Sequence, residues 1–105
     1  MRIRVSAPGK DLKASEIQGI EKDLEKIDRR LADFTEEVSA EVRINGRDGS
    51  PGFHVTVELD YGRNHLVAKA EHTALGQAVR EAREELVRQI NDRSRRGHSS
   101  FSKGR

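Results

Sequence analysis

The stretch that decides the fold is Leu66-Val-Ala-Lys-Ala-Glu-His-Thr-Ala-Leu-Gly-Gln-Ala-Val79, because the spacing of its apolar residues changes partway along. The alternation of Leu66, Ala68 and Ala70 with polar residues predicts a strand with one buried face. Helical spacing then begins, and the apolar face of this segment is Leu75, Ala78, Val79, Ala82, Leu86 and Ile90. Thr73 is the predicted helix cap, and helical character is predicted to end near Asn91. The stretch therefore predicts a strand leading directly into an amphipathic helix.

Three further strands are predicted upstream from the same alternation of apolar and polar residues, over residues 2–7, 38–45 and 53–60. Tyr61-Gly62-Arg63-Asn64 predicts a tight hairpin between the last two strands. A long helix is predicted between the first two strands, with Ser15 as its cap and Gln18 as the capping-box partner. Its apolar face is Ile17, Ile20, Leu24, Ile27, Leu31 and Phe34.

The order of these elements, β-α-β-β-β-α, predicts an α/β (α+β) two-layer sandwich. Each strand has one polar face, so the four-stranded mixed sheet should be open to solvent on one side and covered by both helices on the other. The first two strands should be parallel because a helix connects them, and the later strands should form an antiparallel meander. We expect one domain over residues 1–92 and a basic, flexible tail over residues 93–105.

Charge is unevenly distributed along the 105 residues. Residues 1–92 hold 15 of the 20 basic side chains and all 18 acidic ones, a net charge of −3, whereas residues 93–105 carry 5 basic side chains and no acidic one. There is no cysteine, so a disulfide framework and a thiolate zinc site are excluded. No apolar run has the length of a membrane helix. We expect a cytoplasmic protein that does not enter a membrane.

The sequence offers no catalytic constellation, so we do not expect an enzyme, a cofactor, a metal site or a small-molecule substrate. The hairpin register predicts that His54 lies opposite Glu71 and that His65 lies opposite Asp60, all on the solvent face of the sheet. Such cross-strand polar pairs are structural. No histidine pair has the helical spacing of a zinc motif, and the acidic residues alternate with basic ones along the helices.

Basic side chains on the helices are the candidate RNA-binding residues. Four lie within about 100° of one another on the first helix, roughly opposite its apolar face: Lys22, Lys26, Arg29 and Arg30. The second helix and the tail add Arg80, Arg83, Arg88, Arg93, Arg95 and Arg96. Arg80 is placed to join the first helix in a basic groove. The alternative interpretation is a solvated helix surface with many ion pairs. Because aromatic residues are few, contacts with the backbone and shape of folded RNA are favoured over stacking on single strands.

The order of elements and several local runs resemble the ribosome hibernation-promoting factor family, also called ribosome-associated inhibitors, over about residues 1–93. The runs are the stretch 66–79, Glu85-Leu-Val-Arg-Gln-Ile90, and Leu24-x-x-Ile27-x-Arg29. The resemblance is to the short form. It implies a fold similar to double-stranded-RNA-binding domains with an added first strand. It also implies binding to ribosomal RNA in the mRNA and tRNA channel of the bacterial small ribosomal subunit, which inhibits translation under stress.

The match to the family's basic positions is incomplete. Lys26, Arg29 and Arg88 fall on positions where the resemblance implies a basic residue. Asp23, Glu85 and Asn91-Asp92 stand where it implies others, and each lost phosphate contact would weaken binding to RNA. A second hypothesis is therefore a diverged member that acts as a protein-interaction module, through the sheet face or the acidic helix flanks, without occluding the ribosome.

Overall fold

The computed structural model describes residues 2–8, 12–31, 38–46 and 52–103, and of residues 29, 30, 46 and 94–103 it describes the backbone alone. The elements, in chain order, are β1 (Arg2–Ser6), α1 (Ala14–Glu25), a 3₁₀ turn (Asp28–Leu31), β2 (Val38–Gly46), β3 (Phe53–Tyr61), β4 (Asn64–His72) and α2 (Leu75–Lys103). The predicted loop over residues 47–51 and the predicted core residue Phe34 lie outside the described residues.

The four strands form one mixed sheet in the order β1-β2-β3-β4, which confirms the predicted fold class. β1 pairs in parallel with β2, and the other neighbours are antiparallel. β3 and β4 join through a two-residue loop, since Tyr61 pairs with Asn64. Gly62 in that loop has a φ of 57°, which matches the first central position of a type II′ turn, where glycine is favoured.

Both helices share one apolar core with a single face of the sheet. The strands contribute alternate residues to this core, and α1 and α2 contribute the predicted apolar faces. Leu24, Val42, Val57 and Leu86 are completely buried, and burial of each such side chain contributes about 1.5–3 kcal/mol. Among the described residues no polar or charged side chain is buried, so charged groups act at the surface of the domain.

The first helix is shorter than predicted and begins earlier. Its N-cap is Lys13, whose backbone N–H donates to Glu16 Oε1 at 2.9 Å, so the predicted cap at Ser15 is wrong. It ends at Glu25 because the Lys26 and Ile27 N–H groups bond to the carbonyls of residues three positions back, at 3.3 and 2.9 Å. These tighter bonds lead into the 3₁₀ turn, in which Leu31 remains buried.

The second helix also differs from the prediction at both ends. It begins at Leu75, and the Ala74 N–H donates to Nδ1 of His72 at 3.0 Å. The predicted cap, Thr73, therefore precedes the capping position. The predicted end near Asn91 is wrong too, because α2 continues to Lys103. No proline lies after residue 51, and a helix already formed adds one hydrogen bond per residue as it extends. A separate, flexible tail over residues 93–105 stays a prediction.

Candidate nucleic-acid interface

The two helices leave a cleft of about 520 Å³ between the carboxyl half of α1 and the first turns of α2. Lys22 and Lys26 line it from α1, and Arg80 lines it from α2. The structure thus brings Arg80 to the side chains that the sequence analysis proposed as its neighbours. Ile20, Leu75 and Val79 form the apolar part of the lining, because these residues sit where the helices' buried faces meet.

The acidic side chains in the cleft wall already have partners within the chain. Glu16 accepts the capping bond from the Lys13 N–H. Asp23 Oδ1 accepts from Nε of Arg83 at 2.9 Å and lies 3.4 Å from Nζ of Lys26. Among the described residues, no ion-pair partner engages Lys22 or Arg80. The cleft therefore presents positive charge to an incoming ligand.

Arg83 does not lie in the solvent-facing position expected of an RNA contact. Its side chain is 16% exposed, as is that of Asp23, and the two form the ion pair that joins α1 to α2. A guanidinium held in this way contributes to helix packing, and contact with a phosphate would require it to leave a partly buried carboxylate. Arg83 is thus an unfavourable RNA contact in this conformation.

Arg88 is exposed but carries two acidic neighbours. Its Nε and Nη2 atoms donate to Glu85 at 3.1 and 2.5 Å, and Nη1 donates to Asp92 at 3.3 Å. The hydrogen bond and charge of Arg88 lower the pKa of Glu85, and Glu85 in turn raises the pKa of Arg88. The two acidic residues that depart from the family pattern are therefore the ones that neutralise Arg88.

The remaining candidates lie along α2 and the 3₁₀ turn. Nη1 of Arg93 donates to Oδ1 of Asn64 at 2.8 Å, which ties α2 to the β3–β4 hairpin. Burial raises the pKa of Tyr61 in that hairpin, and the nearby Arg93 charge opposes the rise. The side chains of Arg29, Arg30, Arg95 and Arg96 lie outside the described part of the structure. RNA binding by all ten candidates stays a prediction.

The opposite face of the sheet carries mixed charge and the predicted cross-strand pairs. His54 lies opposite Glu71, at 3.4 Å, and His65 lies opposite Asp60, at 2.6 Å. The hydrogen bond and charge of Asp60, with a smaller contribution from Glu58, raise the pKa of His65. The described residues hold no group of three or more side chains arranged to bind a metal ion. Their helices include none that is long and apolar enough to span a membrane.

Sequence reasoning missed three residues that shape this site. Asp23 was noted as a departure from a basic position, and its ion pair with Arg83 was not foreseen. Gly19 and Gly76, which line the cleft from α1 and α2, were not singled out at all. The Glu85–Arg88–Asp92 cluster had a usable signal, because its members are spaced three and four residues apart on one helix.

Solved structures with this fold come from small domains of the same size. The chain is similar to the N-terminal domain of Protein Y from Thermus thermophilus, with a TM-score of 0.75 and 19% sequence identity over 86% of this chain and 96% of that one. It is also similar to a ribosomal subunit interface protein from Coxiella burnetii, with a TM-score of 0.73 and 15% identity over 90% and 98%. At these identities the likeness defines the class of fold alone.

The family follows from the sequence itself. Residues 3–98 match the model of the family described as sigma 54 modulation protein / S30EA ribosomal protein. The chain belongs to this family, which confirms the resemblance drawn from its local runs. Membership implies association with the ribosome. Among curated protein sequences, none is significantly similar to the chain.

Proposed function

We propose that the protein is a cytoplasmic, non-enzymatic hibernation factor of bacteria, which binds the small ribosomal subunit in the mRNA and tRNA channel under stress. Occupation of that channel would inhibit translation by steric exclusion of mRNA and tRNA. The observation that carries the proposal is the cleft of the family fold, where Lys22, Lys26 and Arg80 converge from two helices. Clustered cations gain affinity from phosphates through release of counterions, without reading a base sequence.

Sedimentation through a sucrose gradient at low salt tests the proposal. The unaltered chain should travel with small ribosomal subunits. The triple variant Lys22→Glu, Lys26→Glu and Arg80→Glu should remain near the top, because it replaces three attractive charges by three repulsive ones. Lys69→Glu is the matched control, since Lys69 is exposed on β4, opposite Thr56 on the open sheet face. An unaltered chain that stays at the top of the gradient would contradict the proposal.

A second candidate function is a protein-interaction module of the same family. It is favoured by the state of Arg83 and Arg88, which are both engaged by acidic side chains of the chain itself. The mixed-charge sheet face would then meet a protein partner. Pull-down from lysate treated with RNase separates the candidates, because a partner other than ribosomal subunits should be retained under the second and lost under the first.

A further inference from the structure

The cleft between α1 and α2 has an aliphatic floor with space above it. Ile20, Leu75 and Val79 form the floor and are 3%, 9% and 1% exposed. Gly19 and Gly76 stand in the walls, and a Cβ atom added at either position would meet no heavy atom within 4 Å. Absence of a side chain at these two positions keeps the slot open, and its volume falls within the range of small-ligand sites, about 300–1,000 Å³.

The rim of the same cleft is suited to an anion. Lys22 and Arg80 have no ion-pair partner among the described residues, and Lys26, although near Asp23, is 60% exposed. The first turn of α2 also lines the cleft, and it contains no acidic residue that would offset the partial positive charge of a helix amino terminus. The cations and the floor together carry the argument, and the helix terminus adds to them.

We propose that this cleft holds one unpaired nucleotide. Its base would lie on the aliphatic floor between Gly19 and Gly76, and its phosphate would contact Lys22 and Arg80. The inference deepens the proposed function, on which it rests for RNA as the natural source of the nucleotide. Unpaired bases in loops and bulges are the parts of folded RNA that can leave the stack and enter such a slot. A free nucleotide has the same chemistry.

Simpler occupants match the cleft less well. Phosphate contacts along an RNA backbone need cations and gain nothing from a dry floor of three aliphatic side chains. An apolar peptide would fill the floor and leave Lys22 and Arg80 without a counter-charge. A nucleotide satisfies both, because it joins a planar base of low polarity on its faces to a charged phosphate. With no aromatic side chain in the lining, shape and burial would hold the base rather than stacking.

Filling the slot without altering its charge tests the inference. Gly19→Leu places a branched side chain where the structure has open space and keeps Lys22, Lys26 and Arg80. Gln18→Leu is the matched control, since Gln18 is exposed on α1 and outside the cleft lining. Leucine also favours a helix more than glycine does, so Gly19→Leu should fold, and circular dichroism would verify that it does.

Two binding measurements are made on each protein. Adenosine 5′-monophosphate is titrated into ¹⁵N-labelled protein and followed by amide chemical shifts, and two RNA hairpins are compared by fluorescence anisotropy. The hairpins are identical except that one carries a single bulged nucleotide. The unaltered chain and Gln18→Leu should bind the bulged hairpin about tenfold more tightly than the paired one, and Gly19→Leu should lose that preference. Adenosine monophosphate should shift amides of the cleft, and less so in Gly19→Leu.

The outcomes separate this inference from the proposed function. Binding of the mononucleotide without a preference for the bulge supports the slot and assigns a free nucleotide as its ligand. Binding of neither probe overturns the inference, as does binding of both that is unchanged in Gly19→Leu. A chain that travels with ribosomes yet binds neither probe keeps the proposed function alone. One that binds them in the cleft but not ribosomes loses the proposed function and keeps the slot.

Discussion

Asp23 and Arg83, which are 60 positions apart in the chain, form the ion pair that joins the two helices, with Oδ1 of Asp23 2.9 Å from Nε of Arg83. Both side chains are largely shielded from solvent. Their pairing lies beside the cleft and removes one carboxylate from the surface that faces a ligand. An acidic residue at a position implied to be basic thus stabilises the site instead of simply weakening its charge.

Removal of either partner of this pair should destabilise the domain. Asp23→Ala and Arg83→Ala should each lower the free energy of unfolding by about 1.5–3 kcal/mol, because each leaves a partly buried charge without its hydrogen bond. Urea denaturation of both variants and the double variant measures the coupling between them. Lys26→Ala, which removes the more exposed contact of Asp23, should cost less than about 1 kcal/mol. Additive effects of Asp23→Ala and Arg83→Ala would contradict the assignment.

The sheet was predictable because its information is local. Alternation fixes which face of each strand is buried, and the short hairpin fixes the register. Leu59 therefore pairs with Leu66, and both histidine–carboxylate pairs follow from that spacing. A shift by one residue would have exposed the apolar face of β4, so no other register competes.

The end of α1 and the Asp23–Arg83 pair were not predictable in this way. Ile27 and Leu31 keep the spacing of an α-helix, and they remain buried although the backbone changes to three-residue hydrogen bonds after Glu25. Apolar periodicity does not distinguish these two backbone forms over a single turn. The ion pair depends on how two helices pack on a sheet, and one sequence carries no direct signal for that distance.

Release of Arg88 from its acidic neighbours should strengthen binding to the ribosome. The double variant Glu85→Gln and Asp92→Asn removes both carboxylates and leaves Arg88 free to contact a phosphate. We expect tighter association with small subunits and a salt dependence steeper by about one unit in log K against log salt concentration. Because the removed pairs are exposed, stability should change by less than about 1 kcal/mol. Sedimentation over a series of salt concentrations gives both quantities.

A control for net charge accompanies that variant. Glu84→Gln removes one carboxylate from an exposed position on α2 next to Glu85, and the single variant Glu85→Gln is its matched partner. Glu85→Gln should raise affinity more than Glu84→Gln, since Glu85 alone of the two is hydrogen-bonded to Arg88. Equal gains would show that overall charge, and not Arg88, sets the affinity.

The His65–Asp60 pair should make stability depend on pH in a defined direction. Asp60 raises the pKa of His65 above its ordinary value of 6.5 in the folded state. Folding is therefore favoured by protonated His65 below pH 6.5, and this contribution is lost as the pH rises through the higher folded pKa. Urea denaturation from pH 5.5 to pH 8.5 should show the loss, which Asp60→Asn should largely abolish.

The titration of His65 can be followed directly by NMR. The pKa of His65 should fall toward its ordinary value in Asp60→Asn, because the hydrogen bond at 2.6 Å is the larger cause of the rise. Glu58→Gln should produce a smaller fall, since Glu58 lies 3.4 Å from the ring. Identical His65 titration in the unaltered chain and Asp60→Asn would contradict this account.

The side chain of His72 should stabilise the start of α2. Its Nδ1 accepts the Ala74 N–H just before the helix, and loss of such an acceptor costs about 0.5–2 kcal/mol. His72→Ala should lower the free energy of unfolding by that amount in urea denaturation at pH 8. His72→Asn should recover most of the loss, because asparagine can accept from the N–H two residues later. Equal loss in both variants would show that the ring acts by packing, since asparagine restores the acceptor but not the imidazole surface.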